Sequence, residues 1–271
     1  MKTILLTGGS SGIGLATAQL LMNKGYCVYS ASRRGGGEAQ KSGNGGEIIP
    51  IKMDVNDESM VISAVQKIVS ENSELYAVIS NAGNGIAGSV EDTNSDEAKY
   101  QLETNFFGSV KVIRACLPIF RKQGFGKIIA IGSVASVIPV PFQAFYSSAK
   151  SALLFLMEAL AMEVKPFGIQ CCTILPGDTK TNFTSARKYT SSSQYDDSAY
   201  TERMKIALGK MENDEINGMS AEKIARAIVK QIEKKKMKSR VVPGLQYKII
   251  CFFNSILPNN LRLKLINLTY S

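Results

Sequence analysis

The residues Thr3-Ile4-Leu5-Leu6-Thr7 run straight into Gly8-Gly9-Ser10-Ser11-Gly12-Ile13-Gly14, and apolar residues then recur at helical spacing up to Met22. A short buried strand that ends in a glycine turn and feeds a helix leaves few architectures open. The glycines let the chain turn tightly, let its backbone approach a pyrophosphate, and let the helix pack close to the strand. The helix N-terminus adds free N–H groups and the positive end of a dipole. The plain alternative is a strand-to-helix turn with no ligand, so the rest of the chain must decide. The first apolar run stops after a few residues, too soon for the apolar region of a signal peptide.

The strand-and-helix alternation continues. Residues 4–6, 27–31, 48–53, 77–79, 128–131 and 170–175 are short apolar or β-branched runs that read as buried strands. Residues 13–22, 60–69, 100–120, 152–164 and 224–232 between them carry apolar side chains at three- and four-residue spacing. This order implies right-handed crossovers and an α/β fold: a doubly wound, Rossmann-like parallel sheet with helices on both faces. The expected organisation is one nucleotide-binding domain over residues 1–245 and a helical C-terminal extension over residues 246–271. The stretch 35–46, half glycine, is expected to be a disordered surface connection. Residues 178–218, polar and rich in Ser, Thr, Tyr and Lys, are read as one long loop, a length typical of lids and binding elements.

Composition excludes several chemistries. With no His in 271 residues, a serine triad of the usual kind, the base of most cysteine proteases and the commonest zinc ligand are missing, and no metal site is expected. The five cysteines lack CxxC spacing and lie mostly in apolar runs, which reads as reduced thiols of a cytoplasmic protein. The net charge of +9 is concentrated at one end: residues 220–271 hold 11 basic residues against Glu222 and Glu233 alone. Two readings of this tail stand together. It is a solvated basic helix whose apolar neighbours pack on the domain or a sister subunit, or it is a basic amphipathic surface that rests on anionic lipid or guides a greasy substrate. No recognition motif for nucleic acid accompanies the charge.

Three further features carry chemistry. The second strand ends in Ala31-Ser32-Arg33-Arg34, where a site for an unphosphorylated ribose usually supplies an acid. An arginine fork suits a 2′-phosphate, so the expected cofactor is NADP(H), with Arg33 the main contact and Ser32 and Arg34 beside it. Tyr146 and Lys150 lie four residues apart in a helical segment and share a face. An ammonium near a phenol favours the phenolate, which lets a tyrosine act as general acid or base in a chain without histidine. Ser133, at the end of the fifth strand, can hold a substrate oxygen by a hydrogen bond. The three together fit carbonyl reduction.

The TGxxxGxG turn and the YxxxK pair together resemble the short-chain dehydrogenase/reductase superfamily. The resemblance implies catalytic roles for Ser133, Tyr146 and Lys150, with Lys150 also bonding the nicotinamide ribose. Asn105 matches the family's fourth catalytic residue, which holds a water that passes protons to the lysine. Cofactor contacts are implied for Gly8, Ser10, Ser11, Gly12, Ile13 and Gly14, for Asp54 and Val55 at the adenine, and for Asn81-Ala82-Gly83. Pro176, Gly177, Thr179 and Thr181 are implied to flank the nicotinamide. Three departures stand out: Ser80 where relatives often carry a second Asn, Ser11 where NADPH-using relatives often carry a basic residue, and Ser148-Ala149 in exchanged order before Lys150. The resemblance also implies a homodimer or homotetramer that pairs the helices near residues 95–123 and 143–165.

The expected activity is NADP(H)-dependent interconversion of a carbonyl and a secondary alcohol on a lipophilic substrate. Val134, Ile138, Pro139, Val140, Phe142 and Phe145 surround the expected carbonyl site and are apolar. The charged run followed by an apolar extension resembles hydroxysteroid-dehydrogenase-like members, which puts a steroid first, then a retinoid or long-chain lipid. Reduction of a 3-oxoacyl thioester on acyl carrier protein is one alternative. An NADPH-sensing binding protein without turnover is another.

Overall fold

The computed structural model describes residues 1–72, 74–192 and 198–270. The chain runs β1 (Thr3–Thr7), α1 (Gly12–Met22), β2 (Cys27–Ser32), β3 (Gln40–Lys41), β4 (Glu47–Lys52), α2 (Glu58–Glu71), β5 (Ala77–Ser80) and β6 (Ile86–Ala87). It continues through α3 (Ser95–Leu102), a π-helical turn (Glu103–Phe107), α4 (Gly108–Gln123), β7 (Gly126–Ile131), α5 (Ala144–Glu163) and β8 (Ile169–Ile174). The last part comprises β9 (Thr179–Lys180), β10 (Lys188–Tyr189), α6 (Thr201–Ile216), β11 (Met219–Ser220), α7 (Ala221–Glu233), β12 (Arg240–Val241), α8 (Leu245–Ile256) and α9 (Asn259–Tyr270).

The main sheet has the order β12-β8-β7-β5-β1-β2-β4-β3, parallel throughout except for β3. Its strands are buried on both sides because their side chains alternate between two cores. Leu5, Val78 and Ile128 face one core with residues of α2, α4 and α5. Ile4, Leu6, Ile79 and Ile129 face the other with residues of α1 and α7. The chain winds outward from β1 through β2 to β4, then returns to lay β5 on the other side of β1. A crevice opens at such a reversal, outside the carboxyl ends of the strands.

Local chemistry fixes the helix ends. Asp57 caps α2 by accepting from the Met60 amide at 3.1 Å, and Asn94 and Glu97 form a reciprocal capping box on α3. Gly124 ends α4 in a left-handed conformation, φ 73°.

Two expectations change. The glycine-rich stretch 35–46 is ordered: β3 pairs with β4, the Ser42 hydroxyl donates to the Met22 carbonyl at 2.9 Å, and Asn44 donates to Asn23 at the same distance. Polar side chains next to the glycines supply the anchors that glycine itself lacks. The segment 178–218 is no bare loop either, since it holds α6 and two short strands; its residues 193–197 lie outside the described residues. Helix α6 escapes a reading by hydrophobic pattern because its buried residues Met204, Ala207, Leu208 and Met211 are interleaved with seven charged ones.

Candidate active site

Six of the expected site segments, far apart in sequence, lie at the carboxyl ends of parallel strands and so converge. They border one continuous cavity of about 1330 Å³. It is lined by Gly8, Ser10, Ser11, Gly12 and Ile13 after β1, by Ser32, Arg33 and Arg34 at the end of β2, and by Asp54 and Val55 after β4. Asn81, Ala82 and Gly83 follow β5, Ser133 follows β7, and Pro176, Gly177, Thr179 and Thr181 follow β8. Asn105, Tyr146 and Lys150 complete the wall from helical segments. Gly14 lies outside the lining: a Cβ there would meet the Gly8 carbonyl oxygen at 2.1 Å, so this glycine lets α1 approach the turn.

The turn after β1 is shaped for an anion. Gly8 and Gly12 have φ of 67° and 52°, which side-chain-bearing residues rarely adopt, and a Cβ on Gly8 would meet the Ala82 backbone at 2.9 Å. Ser11 makes no side-chain capping bond and the first turn of α1 carries no acid, so its amides and positive dipole end face the cavity uncompensated. Asn81 holds the turn in place by donating from Nδ2 to the Thr7 and Gly8 carbonyls at 3.0 and 3.1 Å. Thr7 returns the bond, its hydroxyl accepting from the Asn81 and Ala82 amides. Thr181 lies over the turn, within 3.3 Å of where a Gly12 Cβ would stand. Arg33 and Arg34 are exposed at the rim, available to a phosphate that extends past β2. These features fit the adenine, pyrophosphate and 2′-phosphate of a dinucleotide.

At the other end of the cavity stand Ser133, Tyr146 and Lys150. The buried Lys150 amine donates to the Ile131 carbonyl at 2.8 Å and lies 5.8 Å from the centre of the Tyr146 ring. Burial pulls the Lys150 pKa down to about 8. Burial also pushes the Tyr146 phenol up to about 12; a hydrogen bond with Ser133 works against that rise, and so does the Arg187 charge, while Glu215 adds to it. The sequence leads one to expect a phenol lowered by its neighbouring ammonium. In the structure desolvation is the largest influence on the phenol, and the hydrogen bond of the Lys150 amine goes to the Ile131 carbonyl.

Asn105 occupies the π-helical turn between α3 and α4, where one extra residue rotates a side chain out of the helical series. It is fully buried, and its Nδ2 donates to the Asn84 carbonyl and side chain and to the Gln101 carbonyl, at 2.9–3.0 Å. Three acceptors on one amide nitrogen fix its orientation. Its Oδ1 has no hydrogen-bond partner among the described residues, and a Cβ on Gly83 would lie 2.7 Å from it and 3.5 Å from the Lys150 amine. An unpaired acceptor thus faces the lysine across a residue that must be glycine.

The substrate end includes Val134, Ile138 and Val140 as expected, whereas Pro139, Phe142 and Phe145 lie outside the lining. Phe142, with φ 60°, packs instead against the cluster formed by α6. Sequence reasoning passed over Asn84 and Gln101, Phe183, whose ring stands 5.7 Å from that of Tyr146, and Tyr247 of α8. The tail also supplies wall residues, among them Ile250, Phe253, Leu257 and Ile266. Asn84 was within reach of a sequence reading, as it directly follows Asn81-Ala82-Gly83.

Residues 2–191 match the family model described as short chain dehydrogenase. The chain belongs to the short-chain dehydrogenase family. As a member, it is an oxidoreductase acting on CH–OH groups. A relative from Bacteroides thetaiotaomicron named 3-ketodihydrosphingosine reductase is 37% identical across 100% of this chain and 98% of its own length. The ketoacyl reductase HetN of a Nostoc species is 31% identical over 65% of this chain and 63% of its own. Among solved structures, a short-chain dehydrogenase from Streptomyces avermitilis superposes with a TM-score of 0.81 at 25% identity, covering 98% of this chain and 97% of that one.

Proposed function

We propose that this short-chain dehydrogenase uses NADP(H) to reduce a ketone on a long-chain lipid to a secondary alcohol, working in the cytoplasm as a homodimer or homotetramer. The observation that carries the reading is the continuity of the cavity: the nucleotide cradle opens past Tyr146 into a chamber walled by apolar residues of α8 and α9. The relative aligned over the whole chain is named for a long-chain 3-keto lipid, which favours an aliphatic ketone over the steroid first expected. Arg33 and Arg34 favour the phosphorylated dinucleotide. Phe155 and Met162, exposed on α5 at 71% and 72%, give the subunit contact an apolar face.

When bound, the nicotinamide supplies the hydride that adds to the carbonyl carbon. Tyr146 donates its phenolic proton to the carbonyl oxygen, and Ser133 holds that oxygen by a hydrogen bond. The phenolate left behind is favoured by the Lys150 ammonium on the next turn of α5. The proton that restores the phenol comes by way of Lys150, and the free Oδ1 of Asn105 would anchor a water through which the lysine is recharged.

Consumption of NADPH and of NADH, measured with 3-ketodihydrosphingosine, steroid ketones and acetoacetyl thioesters, tests the reading. Turnover of the sphingoid ketone with NADPH, abolished in Tyr146→Phe, is the expected result. Turnover of thioesters alone transfers the site to 3-oxoacyl reduction, the second reading, which the HetN likeness favours. Binding of NADPH with no turnover on any ketone or thioester overturns the enzyme reading in favour of a sensor.

A further inference from the structure

Helices α8 and α9 are twelve residues each, and among the described residues no helix is long and apolar enough to cross a membrane. Both are nonetheless apolar on the side turned away from the protein. Ile249, Phe252 and Ile256 recur at i, i+3 and i+7 on α8, and Leu261, Leu265 and Leu268 at i, i+4 and i+7 on α9, all 45–64% exposed. The opposite side of α8 is spoken for: Tyr247 is buried in the core, and Asn254 donates to the Val137 carbonyl at 2.9 Å.

Two of the exposed residues, Ile249 and Leu265, also line the cavity. The substrate chamber therefore opens on the exposed apolar face. From Leu245 onward the sequence has no acid and carries Lys248, Arg262 and Lys264. A greasy stripe with cations and no anions is complementary to an anionic lipid surface and ill-suited to an acid-bearing apolar partner. The denser Lys234-Lys235-Lys236 run is not part of this face. Lys234 and Lys235 border Lys2, Tyr76 and Gln170 where the parallel strands begin, at the end of the sheet opposite the cavity.

From this we infer that α8 and α9 lie in the headgroup region of an anionic bilayer and hold the cavity mouth against the acyl layer, so that the lipid ketone enters without crossing water. The inference rests on the lipid-ketone reading for its substrate, but the docking itself does not depend on turnover. This places the contact on the C-terminal extension and not on the lysine run, where the sequence's charge is densest.

Flotation of the full chain with vesicles of phosphatidylcholine containing one-third phosphatidylglycerol tests this. The wild type is expected to float with these vesicles, to float about tenfold less with phosphatidylcholine alone, and to detach in high salt. Replacing both Phe252 and Ile256 by Ser, or both Lys248 and Lys264 by Glu, should lower the bound fraction about tenfold. Replacing Lys235 and Lys236 by Glu should leave it within twofold. None of these six side chains lines the cavity, so turnover of a detergent-dispersed ketone should persist in every variant. Failure of the wild type to float overturns the docking while leaving the reductase reading intact. A change of oligomeric state in the Phe252/Ile256 variant, without loss of flotation, assigns the face to a second copy of the chain and overturns it too. Flotation without turnover of any lipid ketone removes the substrate reading alone.

Discussion

The Tyr247 hydroxyl donates to the Asp178 carboxylate at 2.8 Å and accepts from the Asp178 amide at 3.0 Å. Its ring packs against Gly177, where a Cβ would collide with it at 2.2 Å. One residue of the C-terminal extension thereby fixes the segment that follows β8, next to Tyr146 and Lys150. Burial and the neighbouring carboxylate push the Tyr247 phenol up to about 12, so it stays protonated and keeps donating at any pH the protein meets.

Removing that hydroxyl should loosen the site without emptying it. Tyr247→Phe keeps the ring under Gly177 and strips the partner from two Asp178 groups, a loss of about 1–2 kcal/mol for a typical buried hydrogen bond. The expected outcome is a lower melting temperature and a several-fold higher KM for the ketone. NADPH affinity should be nearly unchanged, since the glycine turn and the arginine rim are untouched. Thermal unfolding and steady-state kinetics on the same preparation check it.

The sheet and the nucleotide end were legible because their signals are local. Apolar runs such as Ile128–Ile131 match strand lengths, and glycines with positive φ have no substitute, so Gly8 and Gly12 announce their own turn. What the sequence hid depends on contacts between distant residues. Nothing near Tyr247 points to Asp178, 69 positions earlier. The π-helical turn at Asn105 is invisible to a pattern of 3.6 residues per turn, which runs smoothly through residues 100–120. The environment of the phenol was also out of reach, because spacing gives the neighbour but not the direction its amine takes.

On the proposed mechanism Tyr146→Phe removes the proton donor and little else. General acid catalysis by a positioned side chain contributes roughly 10²–10⁴-fold, so turnover should drop by that factor. NADPH binding, followed by fluorescence titration, should stay within about twofold because the glycine turn and the arginine rim are untouched. A variant that kept wild-type turnover would remove Tyr146 from the reaction.

Ketone reduction should weaken above pH 8. In the free protein burial lowers the Lys150 pKa to about 8, so the amine carries its proton below that pH and loses it above. Reduction takes up a proton, and on the proposed mechanism the relay through Lys150 supplies it only from the ammonium form. The profile of kcat/KM, which reports groups of the free enzyme, should therefore be flat on the acid side of 8 and fall on the alkaline side. In the oxidative direction the dependence should reverse. Lys150→Arg keeps a cation at all these pH values but cannot pass on its proton, so it should lower turnover and show no fall centred at pH 8.

On the proposed NADP(H) reading, Arg33 should discriminate between the two dinucleotides by one group, the 2′-phosphate. It stands exposed at the end of β2, where no acid competes for the ribose, and a guanidinium-to-phosphate hydrogen bond contributes about 1.5–3 kcal/mol. Arg33→Ala should therefore weaken NADPH roughly 10- to 100-fold, since each 1.4 kcal/mol is tenfold. NADH, which has no phosphate there, should bind as before. Arg33→Asp should go further, adding repulsion of NADPH and an acceptor for the free 2′-hydroxyl of NADH, so that the preference inverts. Dissociation constants for both nucleotides across the three proteins give the answer: equal losses for NADPH and NADH would mean that the arginine supports the rim and does not read the phosphate.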